Sequence, residues 1–399
     1  MNFSAKNDKY GFGIFQKNTR AVSNPFNPYD GSTTGITAKD ILLKLDAPLQ
    51  IQWTVSRRCN FQCPHCFNNS GPNYHGYEAP RDAIIENVCD AKPYNICLCG
   101  GEPFFWDDLF IIIKKLRDGG IPFVGLVTNA YLVTPEKLRK AVDAGLNSIQ
   151  ISFDGFKPED HAVNRPVSDS WDKAYHAIEE CAKYPVFHPL AVSFIPNRIN
   201  ILRFKEFVSM AIDIGCKSIR VQPLMSSGRA SYCYDELNPT SKQYLWLKLT
   251  IKELENQHTI QNRDGVNLQW GDPLEHIWFF SKTDSIPQFL SIQTNGWYEV
   301  SPYLPILFGD STKHSIKEFW RLTTSTKEFW QIPVMRKMAD QLATIEGMRE
   351  VEPRIYFEDH LMIERFDEEN WALAEKTDDV NTLVEYARNK GYYNYGDLS

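Results

Sequence analysis

Leu49-Gln-Ile-Gln-Trp-Thr-Val-Ser56 leads through Arg57 and Arg58 into Cys59-Asn-Phe-Gln-Cys63-Pro-His-Cys66. The first eight residues read as a β-strand, and three cysteines follow on the loop that leaves it. Thiols this close in sequence can point at one centre with little loop-closure cost. Outward from this stretch the pattern recurs: a short β-type run and then an amphipathic helix, six times between Leu49 and about Gln257. The expected strands are Leu49–Ser56, Tyr94–Cys99, Pro122–Thr128, Asn147–Phe153, His188–Ile195 and Lys217–Pro223. Helix ends are legible between them. Thr134 then Pro135 is an N-cap followed by a first-turn proline, and Gly145 closes that helix. Asp107 or Asp108 starts the helix bearing Ile111, Ile112 and Leu116, which Gly119 ends; Asn200 starts Ile201–Ile214 before Gly215. Alternation at this spacing implies parallel strands joined by right-handed crossovers. Six units predict an α/β fold, a partial (β/α)6 TIM-like barrel, with chemistry at the C-terminal strand ends.

Composition frames this core. The 399 residues are 43% apolar and 23% charged, which excludes a disordered or fibrous chain. A net charge of −7 argues against nucleic-acid binding through bulk electrostatics. All nine cysteines lie between Cys59 and Cys233. An odd count with no secretory segment near Met1 reads as reduced and cytoplasmic, where clustered cysteines mean metal or catalysis. The longest apolar run, Leu109–Ile113, stops at Lys114 and Lys115, far short of the ~18 residues of a membrane span. Residues 1–45 read as a polar N-terminal arm, 46–257 as the barrel core and 258–399 as an α+β appendage. In the appendage, Asn295-Gly296 between Leu290–Gln293 and Trp297–Ser301 predicts a type I′ hairpin. Helices are expected at Ser315–Arg321, Val334–Glu346 and Asn381–Lys390. Its aromatics (Trp270, Trp278, Phe279, Phe280, Trp297, Tyr298, Tyr303) read as core before binding surface.

Tetrahedral zinc would want a fourth protein ligand beside Cys59, Cys63 and Cys66, and none is at short spacing. Three thiolates on a four-iron cluster leave one iron open for an outside ligand, the preferred reading; three thiols close by chance is the alternative. The triplet after the first strand of a six-fold βα repeat resembles radical S-adenosylmethionine (SAM) enzymes. Gly100-Gly101-Glu102-Pro103 after the second strand is similar to that family's GGEP motif, and Thr128-Asn129-Ala130 after the third to a Thr-Asn-Gly variant. Ser152-Phe153-Asp154-Gly155 ends the fourth, so the likeness covers about residues 48–230. It implies one [4Fe–4S] cluster on Cys59, Cys63 and Cys66, with the SAM amine and carboxylate on the open iron. It further implies that Gly100, Gly101, Glu102, Thr128, Asn129, Ser152 and Asp154 bind SAM, with His65 near the adenine and Arg165 at the carboxylate. Physical roles are consistent with this. Glycines let a backbone approach a ligand closely, and a carboxylate such as Glu102 accepts from an ammonium. Ser152 and Asp154 alternate along a strand and so share a face. The plainer roles are a strand-end cap for Asp154 and an exposed loop arginine for Arg165.

The resemblance implies one-electron cleavage of SAM to methionine and a 5′-deoxyadenosyl radical that takes a hydrogen atom from substrate. An external electron donor of flavodoxin or ferredoxin type is then needed. Asp46–Trp53 and Pro223-Leu-Met-Ser-Ser-Gly-Arg229-Ala resemble the peptide-maturing subgroup, whose C-terminal SPASM or twitch domain binds auxiliary clusters. No cysteine follows Cys233, and His258, His276, His314 and His360 are scattered, so a SPASM-like lid without auxiliary clusters is expected. A second cluster on Cys89, Cys97 and Cys99 would need a helix face and a strand face to meet. Cys233, past the sixth strand, is either an ordinary loop cysteine or a hydrogen-atom donor to a substrate radical. The expected activity is modification of a ribosomal peptide or related natural product, with epimerisation favoured and oxidative crosslinking as the alternative. A non-enzymatic zinc or iron–sulfur scaffold is the reading outside enzymology. A peptide substrate would be gripped by the lid or delivered by a separate leader-recognition protein; neither nucleic acid nor membrane is an expected partner.

Overall fold

The computed structural model describes residues 45–260, 266–270, 289–301, 304–324, 327–342 and 360–393. The expected N-terminal arm up to residue 44, with His276, Trp278, Phe279, Phe280 and Tyr303, lies outside the described residues. Six strands stand at the expected places: β1 (Gln50–Ser56), β2 (Asn95–Gly100), β3 (Phe123–Thr128), β4 (Ser148–Ser152), β5 (Ala191–Phe194) and β6 (Ser218–Val221). They are parallel and neighbour one another in chain order. The helices between them are α1 (Arg81–Ala91), α2 (Leu109–Asp118), α3 (Pro135–Asp143), α4 (Pro158–Asn164), α5 (Ser170–Ala182) and α6 (Phe204–Asp213). After β6 come α7 (Ala230–Leu237) and α8 (Ser241–Ile260).

The two faces of the sheet differ in chemistry. Ile51, Trp53, Ile96, Leu98, Val124, Leu126, Ile149, Ile151, Val192, Phe194, Ile219 and Val221 are buried in one core with the helices. The alternate positions Gln52, Cys97, Cys99, Gln150 and Arg220 are half-buried and face the barrel lumen. Parallel strands buried on both faces normally read as continuous apolar runs. Alternation here means that the inner face meets polar contents.

The sheet also extends past both ends of the six-strand core. β7 (Asn267–Trp270) pairs with β6, and β8 (Phe289–Ile292) pairs in parallel with β1, placing Ser291 opposite Gln52. β9 (Tyr298–Glu299) then pairs antiparallel with β8. The expected boundary at 257/258 lies inside α8, and strands from both sides of it share one nine-stranded sheet. Exposed strand edges invite non-native pairing, and these later strands cover the edges of β1 and β6. In the β8–β9 hairpin only Gly296 has a positive φ (83°), so the turn is not type I′, which needs two such residues. The loop is a four-residue turn closed by Gly296 N–H donating to Gln293 O at 2.8 Å.

Among the described residues of the appendage, β10 (Ile306–Phe308) pairs with β11 (Leu361–Ile363), and α9 (Ile316–Thr324), α10 (Pro333–Leu342), α11 (Glu368–Ala374) and α12 (Val380–Asn389) pack around them. Trp297 and Tyr298 are core residues, Tyr298 stacking on Phe319 at 4.5 Å. Asn87 of α1 ties the appendage to the barrel, donating to Tyr298 Oη (3.0 Å) and Ser311 O (2.9 Å) and accepting from Ile316 N (2.8 Å). No described helix is long and apolar enough to cross a membrane.

Candidate cofactor and active site

The cysteine loop is held by its own backbone and by side chains from distant strand ends. Cys59 and Cys63 are buried, Cys66 is half-buried, and all three are free thiols. Phe61 N donates to Cys59 Sγ at 3.3 Å, and Asn129 Nδ2 lies 3.8 Å from the same sulfur. Burial pushes the Cys59 thiol well up, with Glu102, Cys63 and Cys66 adding to the rise, so the three sulfurs lie within electrostatic reach of one another. Burial raises Cys63 to about 11, opposed by the nearby Arg165 and Arg229. Arg229 buckles the loop from outside. Its backbone N donates to Cys66 O (3.0 Å), Nε to Cys63 O (2.9 Å) and Nη2 to Ser70 O (2.5 Å). Gly228 makes this possible: at φ 56°, an added Cβ would stand 2.4 Å from Phe67 O and 2.6 Å from Cys66 O.

Gly100 and Gly101 serve the same loop. A Cβ on Gly101 would lie 2.0 Å from Arg58 O, and one on Gly100 2.2 Å from Ser56 O. The close approach expected toward a ligand is thus an approach to the backbone leading into the cysteines. Glu102 is fully buried and takes three donors: Phe104 N (3.1 Å) and Thr128 Oγ1 (2.6 Å) on Oε1, and Asn129 N (2.7 Å) on Oε2. Burial raises its carboxyl, and these hydrogen bonds pull the other way. Thr128 Oγ1 accepts from Ala130 N (2.9 Å), and Asn129 Nδ2 donates to Asn60 Oδ1 (2.9 Å). The β2 and β3 ends and the cysteine loop are thereby one hydrogen-bonded unit.

The β4 end forms a second unit. Ser152 faces the lumen, and its hydroxyl makes no hydrogen bond among the described residues. Asp154, expected to share its pocket, is fully buried; Oδ2 accepts from Arg165 Nε (2.8 Å) and Oδ1 from Ile195 N (2.8 Å). Burial works to raise the Asp154 carboxyl, but the Arg165 guanidinium, with the hydrogen bond from Ile195 N, holds it below the usual carboxylate range. Arg165 is 8% exposed, so it is no surface arginine, and its charge acts on Cys63. His65 Nδ1 donates to Asn164 O (2.8 Å); burial lowers this imidazole to about 4, leaving it neutral. It lines a small cavity with Phe67, Ile195 and the Gln222–Met225 segment. Beneath lie amides that sequence reading passed over. Asn197 Nδ2 donates to Asn164 Oδ1 (3.0 Å), and Asn200 Nδ2 to Asp154 O (2.8 Å). The available signal for these, and for Arg229, was polar residues just past strand ends.

Cys233 belongs to different surroundings. Its Sγ donates to Pro64 O at 3.4 Å and lines a cavity of about 310 Å³ with Ser226, Ser231, Tyr232, Asp235 and Glu236, apart from the cavity beside His65. Cys89 lies on the helix side at Lys115 O, whereas Cys97 and Cys99 face the lumen, so these three do not meet.

The donor set suits the implied cofactors. Among the described residues, no three His, Cys, Asp or Glu side chains converge on one ion-sized point, as a zinc ion requires. A four-iron cluster takes each thiolate on a different iron and so needs a wider spread. The buried Asn60 Nδ2, without a hydrogen-bond partner, adds an unspent donor at the loop.

Comparison with known proteins agrees. Residues 53–197 match the radical SAM superfamily. The chain is 30% identical over 214 residues to the mycofactocin maturase MftC of Mycolicibacterium smegmatis, covering 51% of this chain and 52% of that one. It is 29% identical over 201 residues to the PqqA peptide cyclase of Bradyrhizobium diazoefficiens, covering 49% and 52%. The chain thus spans about half the length of these curated relatives. Its fold resembles that of Streptococcus suis SuiB bound to S-adenosylmethionine, with TM-score 0.56, 12% identity and 76% of each chain covered. The free cysteine triplet and the hydrogen-bonded strand-end rim lie within the stretch that matches the radical SAM superfamily, a family whose cofactors are a [4Fe–4S] cluster and SAM.

Proposed function

We propose that this protein removes a hydrogen atom from a peptide or related natural product and thereby modifies it. The observation that carries the reading is the loop Cys59–Cys66, three free thiols buckled by Arg229 beside Glu102 and the Asp154–Arg165 pair. Cys59, Cys63 and Cys66 would hold the cluster; Glu102, Thr128, Asn129, Ser152, Arg165 and His65 would bind SAM. Bound together, the two cofactors supply a carbon-centred radical by one-electron cleavage of SAM. The chain's own share is binding, orientation and a dry site. Asp154 fixes the Arg165 guanidinium as a cation for a carboxylate. Glu102 spends three of its roughly four acceptor sites on the protein and keeps one for an ammonium. Neutral His65 offers a ring face to an aromatic base. An external flavodoxin- or ferredoxin-type donor and a cytoplasmic setting complete the proposal, and a separate leader-recognition protein is its optional partner.

The peptide class draws support from the relatives, a maturase and a peptide cyclase. Two outcomes each have an observation behind them. Epimerisation rests on Cys233, whose cavity is of ligand size. Its thiol would give a hydrogen atom to the substrate radical, and the resulting thiyl would take an electron from the external donor and a proton from solvent. Oxidative crosslinking rests on the cyclase likeness. Anaerobic reconstitution with iron and sulfide is the test: a brown protein with four irons that releases 5′-deoxyadenosine under reductant is expected, and one zinc with no nucleoside would refute the reading. Product mass then separates the outcomes, unchanged in H2O and one deuterium heavier in D2O for epimerisation, two hydrogens lighter for crosslinking. Cys233→Ala is expected to cleave SAM yet leave the product unepimerised; full epimerisation by that variant removes Cys233 from the mechanism.

A further inference from the structure

Arg220 lies on β6 between Ile219 and Val221, which are fully buried on the helix side, so its side chain enters the lumen. Its charge acts on Cys97 of β2. β6 and β2 are separated by β5, β4 and β3 in the sheet, and strand alternation turns both side chains to the lumen. Arg220 is half-buried and, among the described residues, makes no hydrogen bond or ion pair. Register places it on one rung with Ser193 and Gln269, and Ser193 pairs in turn with Ser152. The guanidinium therefore stands level with the proposed SAM-binding serine, flanked by neutral groups. Beside β1, Glu299 of β9 is fully buried, acts on Cys99, accepts from Gln293 Nε2 on Oε2 at 2.6 Å and has His360 Nε2 3.6 Å from Oε1; among the described residues Gln293 Oε1 lacks a hydrogen-bond partner.

A partly desolvated guanidinium with no counter-charge is costly to keep, and its planar fork matches a carboxylate through two parallel hydrogen bonds. Arg165 already supplies a fixed cation at the cysteine loop, so Arg220 is a second cation directed at the lumen contents. We propose that Arg220 anchors a carboxylate of the substrate and makes an acidic group a condition of binding. This rests on the peptide reading above, in which the carboxylate is an acidic side chain or the C terminus.

The test uses the full chain with reconstituted cluster and SAM. Its probes are pools of short synthetic peptides carrying a central Glu or Gln, each with a free or an amidated C terminus, and retention is read by ultrafiltration and mass spectrometry. Carboxylate-bearing pools are expected to bind at least about tenfold more tightly than the Gln, amidated pool, the size of one charged bidentate contact. The pool carrying the preference names side chain or terminus as the source. Arg220→Met should reduce the preference to less than about twofold, and Arg220→Lys should keep part of it, since Lys holds the charge without the fork. Equal retention of all pools, or a preference that survives Arg220→Met, would overturn the proposal. So would loss of SAM retention in Arg220→Met with the preference intact, which would move Arg220 to the cofactor site. Should Arg220→Met fail to fold, the Arg220→Lys comparison alone decides. Partition needs no turnover, so failure of the radical reading shows separately, as absent 5′-deoxyadenosine with the acidic preference retained.

Discussion

The rim formed by the ends of β1–β4 and the wall added by β8 and β9 bound the same lumen but treat buried polar groups differently. At the rim, Glu102 takes three donors and Asp154 is bound by Arg165 and the Ile195 amide. At the wall, Gln293 Nε2 donates to Glu299 Oε2 at 2.6 Å, but among the described residues Glu299 Oε1 has His360 Nε2 no nearer than 3.6 Å and Gln293 Oε1 lacks a hydrogen-bond partner. Buried polar atoms are nearly always satisfied in folded proteins, so the exceptions ask for an explanation. A rim whose groups are committed to one another holds a fixed geometry, as a cofactor requires. A wall with unspent acceptors suits a changing occupant, as a substrate side requires.

The largest effect separates rim from wall by chemistry. Cys63→Ala is expected to abolish cluster assembly and lower 5′-deoxyadenosine release by on the order of a hundredfold or more, checked by iron content and chromatography. Undiminished release would break the assignment of the rim as the cofactor site. Next, the two buried acids should answer differently to neutralisation. Asp154→Ala strands Arg165 as a buried charge and should cost about 3–5 kcal/mol in denaturant unfolding. Burial raises the Glu299 carboxyl well above its ordinary range, and its Oε2 accepts from Gln293 Nε2 at 2.6 Å, a bond that an amide oxygen retains, so Glu299→Gln should cost less than about 1 kcal/mol. Equal costs would erase the distinction.

A pH effect sharpens the contrast within the appendage. Burial, reinforced by Asp310, raises Glu364 to about 7. A carboxyl raised in the folded state contributes stability that is full below its unfolded pKa and lost as pH climbs through the folded one. Unfolding free energy should therefore fall between about pH 5 and pH 8 by on the order of 1–3 kcal/mol, and Glu364→Gln should flatten that fall. The smallest effect lies at Ala130, which holds φ 63° where the resembled motif has glycine. An L-residue there costs roughly 1–2 kcal/mol, partly offset by the entropy a glycine loses on folding. Ala130→Gly should raise the unfolding midpoint slightly, by less than about 1 kcal/mol; a loss would show that the methyl packing outweighs the strain.

The rim was legible in the sequence because each part is contiguous. A strand ends and a few residues later its functional group appears, as in Ser56 to Cys59, Gly100 to Glu102 and Thr128 to Asn129. What those groups bond was not legible. Asp154 read as a pocket partner of Ser152, and its pairing with Arg165 was not readable, since that pair depends on how α4 folds back over β4. Arg229 lay in a quoted motif, yet its clasp on the cysteine loop joins positions far apart in the chain. The β8–β9 wall had only its hairpin signal, and even there the turn differed because Gly296 alone takes positive φ.

The sequence by itself determined the periodic βα core, the cysteine triplet and its place after β1, because strand alternation, helix caps and short motif spacing are local properties. Only the tertiary structure decided that later strands extend the same sheet at both edges, that Arg220 faces the lumen without an ion-pair partner among the described residues, and that Cys233 lines a different cavity from His65. Those facts depend on which edges pair and which side chains meet across a lumen. Such long-range closure is settled by packing the whole chain at once, and no local stretch encodes it.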